Sequence, residues 1–153
     1  MRDVGEKTQV YARAQNCLAK LKWLPPLAAR LSLGYVFITS GWGKLHGLEE
    51  VTGYFTELGL PAPHINAIFV ASSEFVFGLM LMLGLFTRLA TFPLIVIMAV
   101  ALLTARREDL TSLSDLMGFI EYLYILPLMW LLVEGGGCVS LDRWLCRRCR
   151  RSA

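Results

Sequence analysis

The chain has 153 residues, of which 56% are hydrophobic and 18% charged, and its formal net charge is +3. This length allows one domain. Because the charged residues gather in the tails and connections and leave long apolar runs between them, the composition argues against a water-soluble domain and indicates a protein surrounded by lipid.

Four apolar runs are long enough to cross a bilayer. About 20 apolar residues span a hydrocarbon core of roughly 30 Å as an α-helix, and an open strand edge would leave backbone groups unpaired in lipid. The predicted spans are about 24–43, 65–86, 89–105 and 116–133. The sequence therefore predicts an all-α fold, a four-transmembrane-helix antiparallel bundle, in which Thr87-Arg88 forms the tight turn between the second and third spans.

Two further segments are predicted as amphipathic helices. Between the first and second spans, apolar residues recur at helical spacing on one face, namely Leu48, Val51, Phe55 and Leu58. We expect a short interfacial helix on the outer surface, ended by Gly59 and Pro61. Residues 1–23 are a basic lead that would lie on anionic headgroups. The expected organisation is this cytoplasmic lead, a membrane domain over residues 24–134, and a basic, cysteine-containing cytoplasmic tail over residues 135–153.

The basic residues predict the orientation. The lead, the second connection and the C-terminal tail hold twelve Lys and Arg residues, counting Arg30 just inside the first span, and the opposite side holds three. Such a positive-inside bias predicts that both termini are cytoplasmic. We expect a multi-pass protein of a bacterial-type inner (plasma) membrane, whose basic tail meets lipid and not nucleic acid.

Several short motifs together resemble the DoxX family of small four-span membrane proteins. They are RLSLG at residues 30–34, SGWGKL at 40–45, Glu74 with Gly78, LGLFTR at 83–88 and GGGCVSLD at 135–142. The family is named for a subunit linked to thiosulfate:quinone oxidoreductase. The resemblance implies a subunit of a membrane-associated oxidoreductase system, an accessory or non-catalytic one in one interpretation, with a protein partner in a redox complex. Because the sequence has no obvious haem, flavin or iron–sulfur motif, that partner would supply the electron carrier.

A set of polar residues within the predicted spans is the candidate functional site. Its members are Glu74, Glu121, Lys44, Arg30, Ser40, Tyr35 and Tyr122. Counted from the outer ends of the spans, Glu74 is expected about 15 Å deep and Glu121 about 9 Å deep. We expect Lys44 to reach toward Glu121, and Arg30 toward Glu74 or Glu134.

Two interpretations of this polar set are open. A carboxylate at such depth needs a partner and suits a quinone headgroup or proton site, so quinone is the candidate cofactor. Alternatively, the polar pairs only fix helix packing, with glycines at close helix crossings.

Metal binding has only weak candidates. His46 and His64 are eighteen residues apart, without ligand spacing, and Cys146 and Cys149 form a C-x-x-C pair in the basic tail. Neither pair lies in the setting typical of a metal or redox motif.

Two other functions remain open from the sequence. The chain would act as a non-catalytic membrane anchor or assembly factor if its tails dock a partner enzyme. It would act as a small carrier or lipid-binding protein if the polar set binds substrate, and a 17.1 kDa chain would then need to form homo-oligomers.

Overall fold

The computed structural model describes residues 21–105, 113–137 and 140–142. Six helices and no strand occur in these ranges, which confirms the all-α prediction. The helices are α1 (Leu24–His46), α2 (Leu48–Glu57), α3 (Pro63–Leu83), α4 (Thr87–Ala105), α5 (Leu113–Gly118) and α6 (Ile120–Glu134).

The four longest helices pack around one core. α1 packs against α3, α3 against α4, α4 against α6, and α6 returns to α1. Each helix contributes buried apolar side chains to this core, namely Leu33, Phe37, Leu81, Leu94, Met98, Leu128 and Leu131. The closest pairing is that of α1 with α3, which positions the candidate site described below.

The turn between α3 and α4 lies at residues 84–86 and not at Thr87-Arg88 as predicted. Gly84 ends α3 in the left-handed conformation, with φ +69°. The Gly84 N–H donates to the Leu81 carbonyl and the Leu85 N–H to the Met80 carbonyl, the pattern with which a glycine commonly ends a helix. Thr87 and Arg88 therefore form the first turn of α4.

The fourth predicted span is not one continuous helix. Residues 116–133 were expected to be helical throughout, but the chain breaks between α5 and α6 at Phe119, whose backbone is extended (φ −78°, ψ 133°). Gly118 precedes the break and has little helix propensity. The resulting α6 has 15 residues and is about 22 Å long.

The predicted helix between the first two spans is present as α2. It ends before Gly59, which has φ +68°, in agreement with the expected end signal. Its apolar face lies over a cavity beside α3, where Val51, Tyr54 and Phe55 contribute to the lining. The amphipathic helix was predicted for the lead, residues 1–23. Residues 1–20 lie outside the described ranges, and residues 21–23 form a turn before α1.

The surfaces of the long helices are apolar. α3 and α4 are long and apolar enough to cross a membrane, by length and composition. In their most apolar stretches only 33% and 28% of residues are buried, so these helices are unlike the core helices of a soluble protein. Large exposed side chains include Ile65, Phe69, Leu89, Phe92, Leu103 and Val133, which are 62–75% exposed. Apolar surface of this extent requires a cover, and lipid provides one.

A charged substitution on this surface tests whether lipid or water covers it. Val76 is 49% exposed and lies near the middle of α3. We expect Val76→Lys to reduce the amount of protein in the membrane fraction severalfold, because a lysine at mid-depth costs about 3 kcal/mol in lipid. Glu57→Lys, at an exposed position of α2, is the control and should accumulate normally. Equal membrane levels of the two variants would contradict a lipid-facing α3.

Candidate functional site

Three polar side chains from α1 and α3 meet in the interior. The Lys44 ammonium lies 2.5 Å from Glu74 Oε1 and forms an ion pair with it. The Ser40 hydroxyl donates a hydrogen bond of 2.9 Å to Glu74 Oε2. Both oxygens of the Glu74 carboxylate therefore have a partner, and we call these three residues the Glu74 triad.

The triad forms because α1 and α3 approach each other closely. A Cβ on Gly41 would lie 2.5 Å from the Phe75 nitrogen and 2.8 Å from the Ala71 carbonyl oxygen. One α3 face turns toward α1, and its buried residues include Ala67, Ala71, Glu74, Gly78 and Leu81. Small residues at this crossing let the backbones approach, so Ser40 and Lys44 reach the carboxylate.

The two charges of the triad have different surroundings. The Glu74 side chain is 1% exposed and that of Lys44 is 31% exposed. Removing a carboxylate from water costs several kcal/mol unless a partner compensates. Lys44 is that partner, and its exposed part links the buried carboxylate to the surface at the end of α1.

A cavity of about 540 Å³ opens beside the triad. Glu74 and Lys44 contribute to its lining, and most of its remaining surface is apolar. The walls come from α2, α3 and α4, with members such as Val51, Phe55, Leu58, Phe69, Val70, Val96, Ile97, Met98, Val100 and Ala101. A mostly apolar cavity with a few polar groups is the usual form of a small-molecule site.

Other polar residues lie at the margins of this cavity. Glu50, Asn66, Thr104 and Glu121 contribute to the lining. The Asn66 amide donates a 2.6 Å hydrogen bond to the Pro61 carbonyl, which ties the start of α3 to the loop after α2. The cavity thus has carboxylates on α2, α3 and α6.

The structure brings together some of the residues singled out from the sequence. Ser40, Lys44 and Glu74 are in contact, and Glu121 lines the same cavity. Lys44 forms its ion pair with Glu74, not with Glu121 as expected, because the α1–α3 crossing places the two side by side.

The two tyrosines of the predicted set lie elsewhere. Tyr35 is 63% exposed, on a face of α1 turned away from the cavity. Tyr122 is half-buried in the first turn of α6 and does not contribute to the cavity lining.

Arg30 lies at the opposite end of α1 from Lys44. Fourteen residues separate the two, about 21 Å along the helix. Arg30 is 1% exposed, its guanidinium packs against Gly84, and Asp142 is one of the groups with which it interacts electrostatically. The expectation that it reaches toward Glu74 or Glu134 is wrong in this respect, because the segment containing Asp142 folds back over the α3–α4 turn.

Asp142 is the residue that the sequence interpretation missed. Its carboxylate accepts hydrogen bonds from the backbone N–H groups of Phe86, at 2.5 Å, and Thr87, at 3.0 Å. Its own N–H donates to the Gly84 carbonyl at 3.2 Å. Asp142 therefore caps the start of α4, where a negative charge is favourable, and faces Arg30. We call Arg30, Gly84, Thr87 and Asp142 the Arg30 cluster.

The motifs LGLFTR and GGGCVSLD contain three of the four residues of the Arg30 cluster, so the sequence did mark these positions. The first motif supplies the turn and Arg88, whose guanidinium donates a 2.8 Å hydrogen bond to the Val133 carbonyl. The second supplies Asp142. Residues 135–137 and 140–142, assigned from sequence to the tail, thus include a segment packed on the helical domain.

Of the weak metal candidates, only the two histidines lie in the part of the chain that the structure describes. Within residues 21–105, 113–137 and 140–142, no group of three or more His, Cys, Asp or Glu residues could hold a metal ion. His46 packs against Trp42 with ring centroids 4.4 Å apart, and its Nδ1 lies 2.9 Å from the Trp42 carbonyl oxygen. His64 is exposed, and Cys146 and Cys149 lie outside the described ranges.

Comparison with known proteins gives relatives that are membrane proteins. The inner membrane protein YphA of Escherichia coli is 30% identical over 122 residues, which cover 76% of this chain and 87% of that protein. The uncharacterized membrane protein Rv3486 of Mycobacterium tuberculosis is 31% identical, with 81% and 84% covered. A Bacillus subtilis protein named "Putative oxidoreductase CatD" is 27% identical, with 76% and 83% covered.

The family assignment follows from these matches and from the motifs around both polar clusters. No solved structure gives a significant match to the chain. The profile of the DoxX family matches residues 26–107, a range that includes Arg30, the Glu74 triad and the α3–α4 turn. The chain belongs to the DoxX family of membrane proteins.

Proposed function

We propose that this protein is a subunit of a membrane-associated oxidoreductase system and binds a quinone headgroup at the Glu74 triad. In this proposal α1, α3, α4 and the α5–α6 pair cross an inner membrane as four spans, with both termini in the cytoplasm. A partner protein of the redox complex supplies the electrons. The observation that carries the proposal is the buried Glu74 carboxylate, which has a polar partner at each oxygen and lies at the wall of a largely apolar cavity.

The chemistry of the triad suits a quinone ring. A quinone carbonyl accepts hydrogen bonds, and the Lys44 ammonium has three donors, of which Glu74 occupies one. Reduction of the ring to a quinol requires two electrons and two protons. The partner protein would supply both electrons. The Lys44 ammonium would donate a proton to a ring oxygen and regain one from water at its exposed part, so that both protons pass through the lysine in turn, and the Glu74 carboxylate would stabilise the ammonium form. The apolar walls favour the rest of a lipid-soluble molecule.

Glu74→Gln tests this site. The glutamine keeps the side-chain size and one acceptor but removes the negative charge. Because Lys44 is partly exposed, its ammonium can turn to the surface, so we expect the variant to fold. Its affinity for a lipid-soluble quinone in detergent should fall about tenfold or more, which corresponds to about 1.4 kcal/mol.

The matched control is Glu49→Gln, which neutralises an exposed carboxylate on α2 outside the cavity lining. Its quinone affinity should equal that of the wild-type protein. Equal affinity of wild type and Glu74→Gln, or failure of the wild-type protein to bind quinone at all, would contradict the proposal.

A lipid-binding protein without a redox role is the second candidate. The apolar walls of the cavity favour it, because they suit any amphiphile with a small polar head. Such a protein would bind an amphiphile at this cavity but would not distinguish quinone from an alkyl alcohol of similar size.

A further inference from the structure

We propose that the cavity takes a single-chain amphiphile with an uncharged polar head, whose chain leaves between α2 and α4 directly into the bilayer. This inference rests on the cavity to which the proposed function assigns a headgroup, and it adds the ligand's chain, its charge and its path. It assigns recognition of the ligand's chain to the α4 residues that line the cavity.

Two apolar faces border the path of the chain. On one side, α2 presents Val51, Phe55 and Leu58 to the cavity. On the other side, α4 presents residues spaced as on one helical face, among them Ile97 and Ala101. The polar floor, Glu74 with Lys44, lies to one side of this passage. A ligand that fits both the polar floor and the apolar passage has a polar head and an apolar chain.

We infer that the cavity opens between α2 and α4, which both contribute to its lining. α2 packs on α3 and touches the end of α1, and no extensive packing joins it to α4. Among the cavity-lining residues of α3 and α4, the exposed ones are apolar, since Phe69 is 66% exposed, Val96 46% and Val100 47%. Glu50 of α2 is an exposed polar residue of the lining. The side of the opening formed by α3 and α4 therefore suits lipid.

The size and charge of the cavity restrict the ligand further. A volume of about 540 Å³ suits one drug-sized group, so a head and the first part of one chain fit while the remainder stays in lipid. At the polar floor the charges of Glu74 and Lys44 compensate each other in an ion pair. The floor therefore attracts neither an anionic nor a cationic head and favours an uncharged one that can form hydrogen bonds.

Ala101→Trp tests the path, with Leu103→Trp as the control. Ala101 is half-buried and lines the cavity, so a tryptophan there would fill the passage beside α4. Leu103, on the same helix, is 65% exposed and does not contribute to the lining. The probes are a decyl-substituted benzoquinone, the same quinone ring without the chain, and tritiated hexadecanol, each titrated against purified protein in detergent.

The proposal predicts a loss that depends on the chain. Ala101→Trp should weaken binding of the decyl quinone and of hexadecanol about tenfold or more, and binding of the chainless ring less than about twofold. Leu103→Trp should bind all three like the wild type. Ala101→Leu, which fills less of the passage, should give a smaller loss in the same order and replaces the tryptophan variant if that variant does not fold.

Three results would overturn the proposal. They are equal losses for the decyl quinone and the chainless ring, unchanged binding of all probes by both Ala101 variants, and failure of the wild-type protein to bind hexadecanol. The proposed function fails separately. Hexadecanol binding that is sensitive to Ala101→Trp, together with quinone binding that is insensitive to Glu74→Gln, would retain the path and exclude the quinone headgroup site.

Discussion

Gly41→Val is expected to separate α1 from α3 and to destroy the Glu74 triad. A Cβ at this position would lie 2.5–2.9 Å from backbone atoms of Phe75 and Ala71, and backbone cannot turn aside as a side chain can. Inserting bulk into a close-packed contact typically costs 1–3 kcal/mol, and more where rigid atoms clash. We expect a loss of about 3 kcal/mol or more, measured as a large fall in the thermal unfolding midpoint in detergent.

Gly43→Val is the matched control for this prediction. Gly43 lies on the same helix two residues further on, and a Cβ there would meet nothing within 4 Å. The same change of helix propensity applies to both glycines, so the difference between the two variants isolates the α1–α3 contact. Unfolding midpoints that are equal for the two variants would contradict the close crossing on which the triad depends.

Asp142→Asn is expected to destabilise the packing around the N-terminal half of α1, where Arg30 lies. The asparagine keeps the size of the side chain but removes the negative charge that faces Arg30, which is 1% exposed. It also weakens the cap on the N–H groups of Phe86 and Thr87. Loss of a helix N-cap costs about 1 kcal/mol, and Asp142 is half-buried and also interacts electrostatically with Arg30. We therefore expect a loss of about 1–2 kcal/mol in the free energy of unfolding.

A double-mutant cycle with Arg30→Met tests whether the charge pair is the cause. The double variant should lose less stability than the sum of the two single losses, by about 0.5 kcal/mol or more, because the interaction between Arg30 and Asp142 can be lost only once. Glu57→Gln, at an exposed position, should change the free energy of unfolding by less than about 0.5 kcal/mol. Strict additivity of the two single losses would show that Asp142 acts as a cap alone.

The helices of this chain were predictable because run length and spacing determine them. The first three spans correspond to α1, α3 and α4, and α2 occurs where apolar residues repeat at helical spacing. The break at Phe119 was not predictable from hydropathy, since residues 116–133 form one largely apolar run with a single charge, Glu121. A glycine such as Gly118 only lowers helix propensity and does not by itself end a helix.

The partners of the buried charges were harder to predict than their positions. Depth along a helix placed Glu74 near mid-span, but depth does not specify which face of α3 meets α1. Gly41, through its contact with Phe75 and Ala71, sets that rotation and so selects Glu74 as the partner of Lys44. Asp142 was part of a recognised motif but was assigned no partner, because it follows α6 in a segment that was expected to be solvated and not to fold back onto a turn.

If the Glu74 triad and its apolar cavity hold a lipid-soluble molecule, native mass spectrometry of protein extracted from its own membrane should detect that molecule. We predict that the wild-type chain retains one uncharged amphiphile per protein molecule, and that Glu74→Gln retains little of it while Glu49→Gln retains it fully. A wild-type chain that carries no such molecule, or that carries the same amount in all three proteins, would contradict the claim.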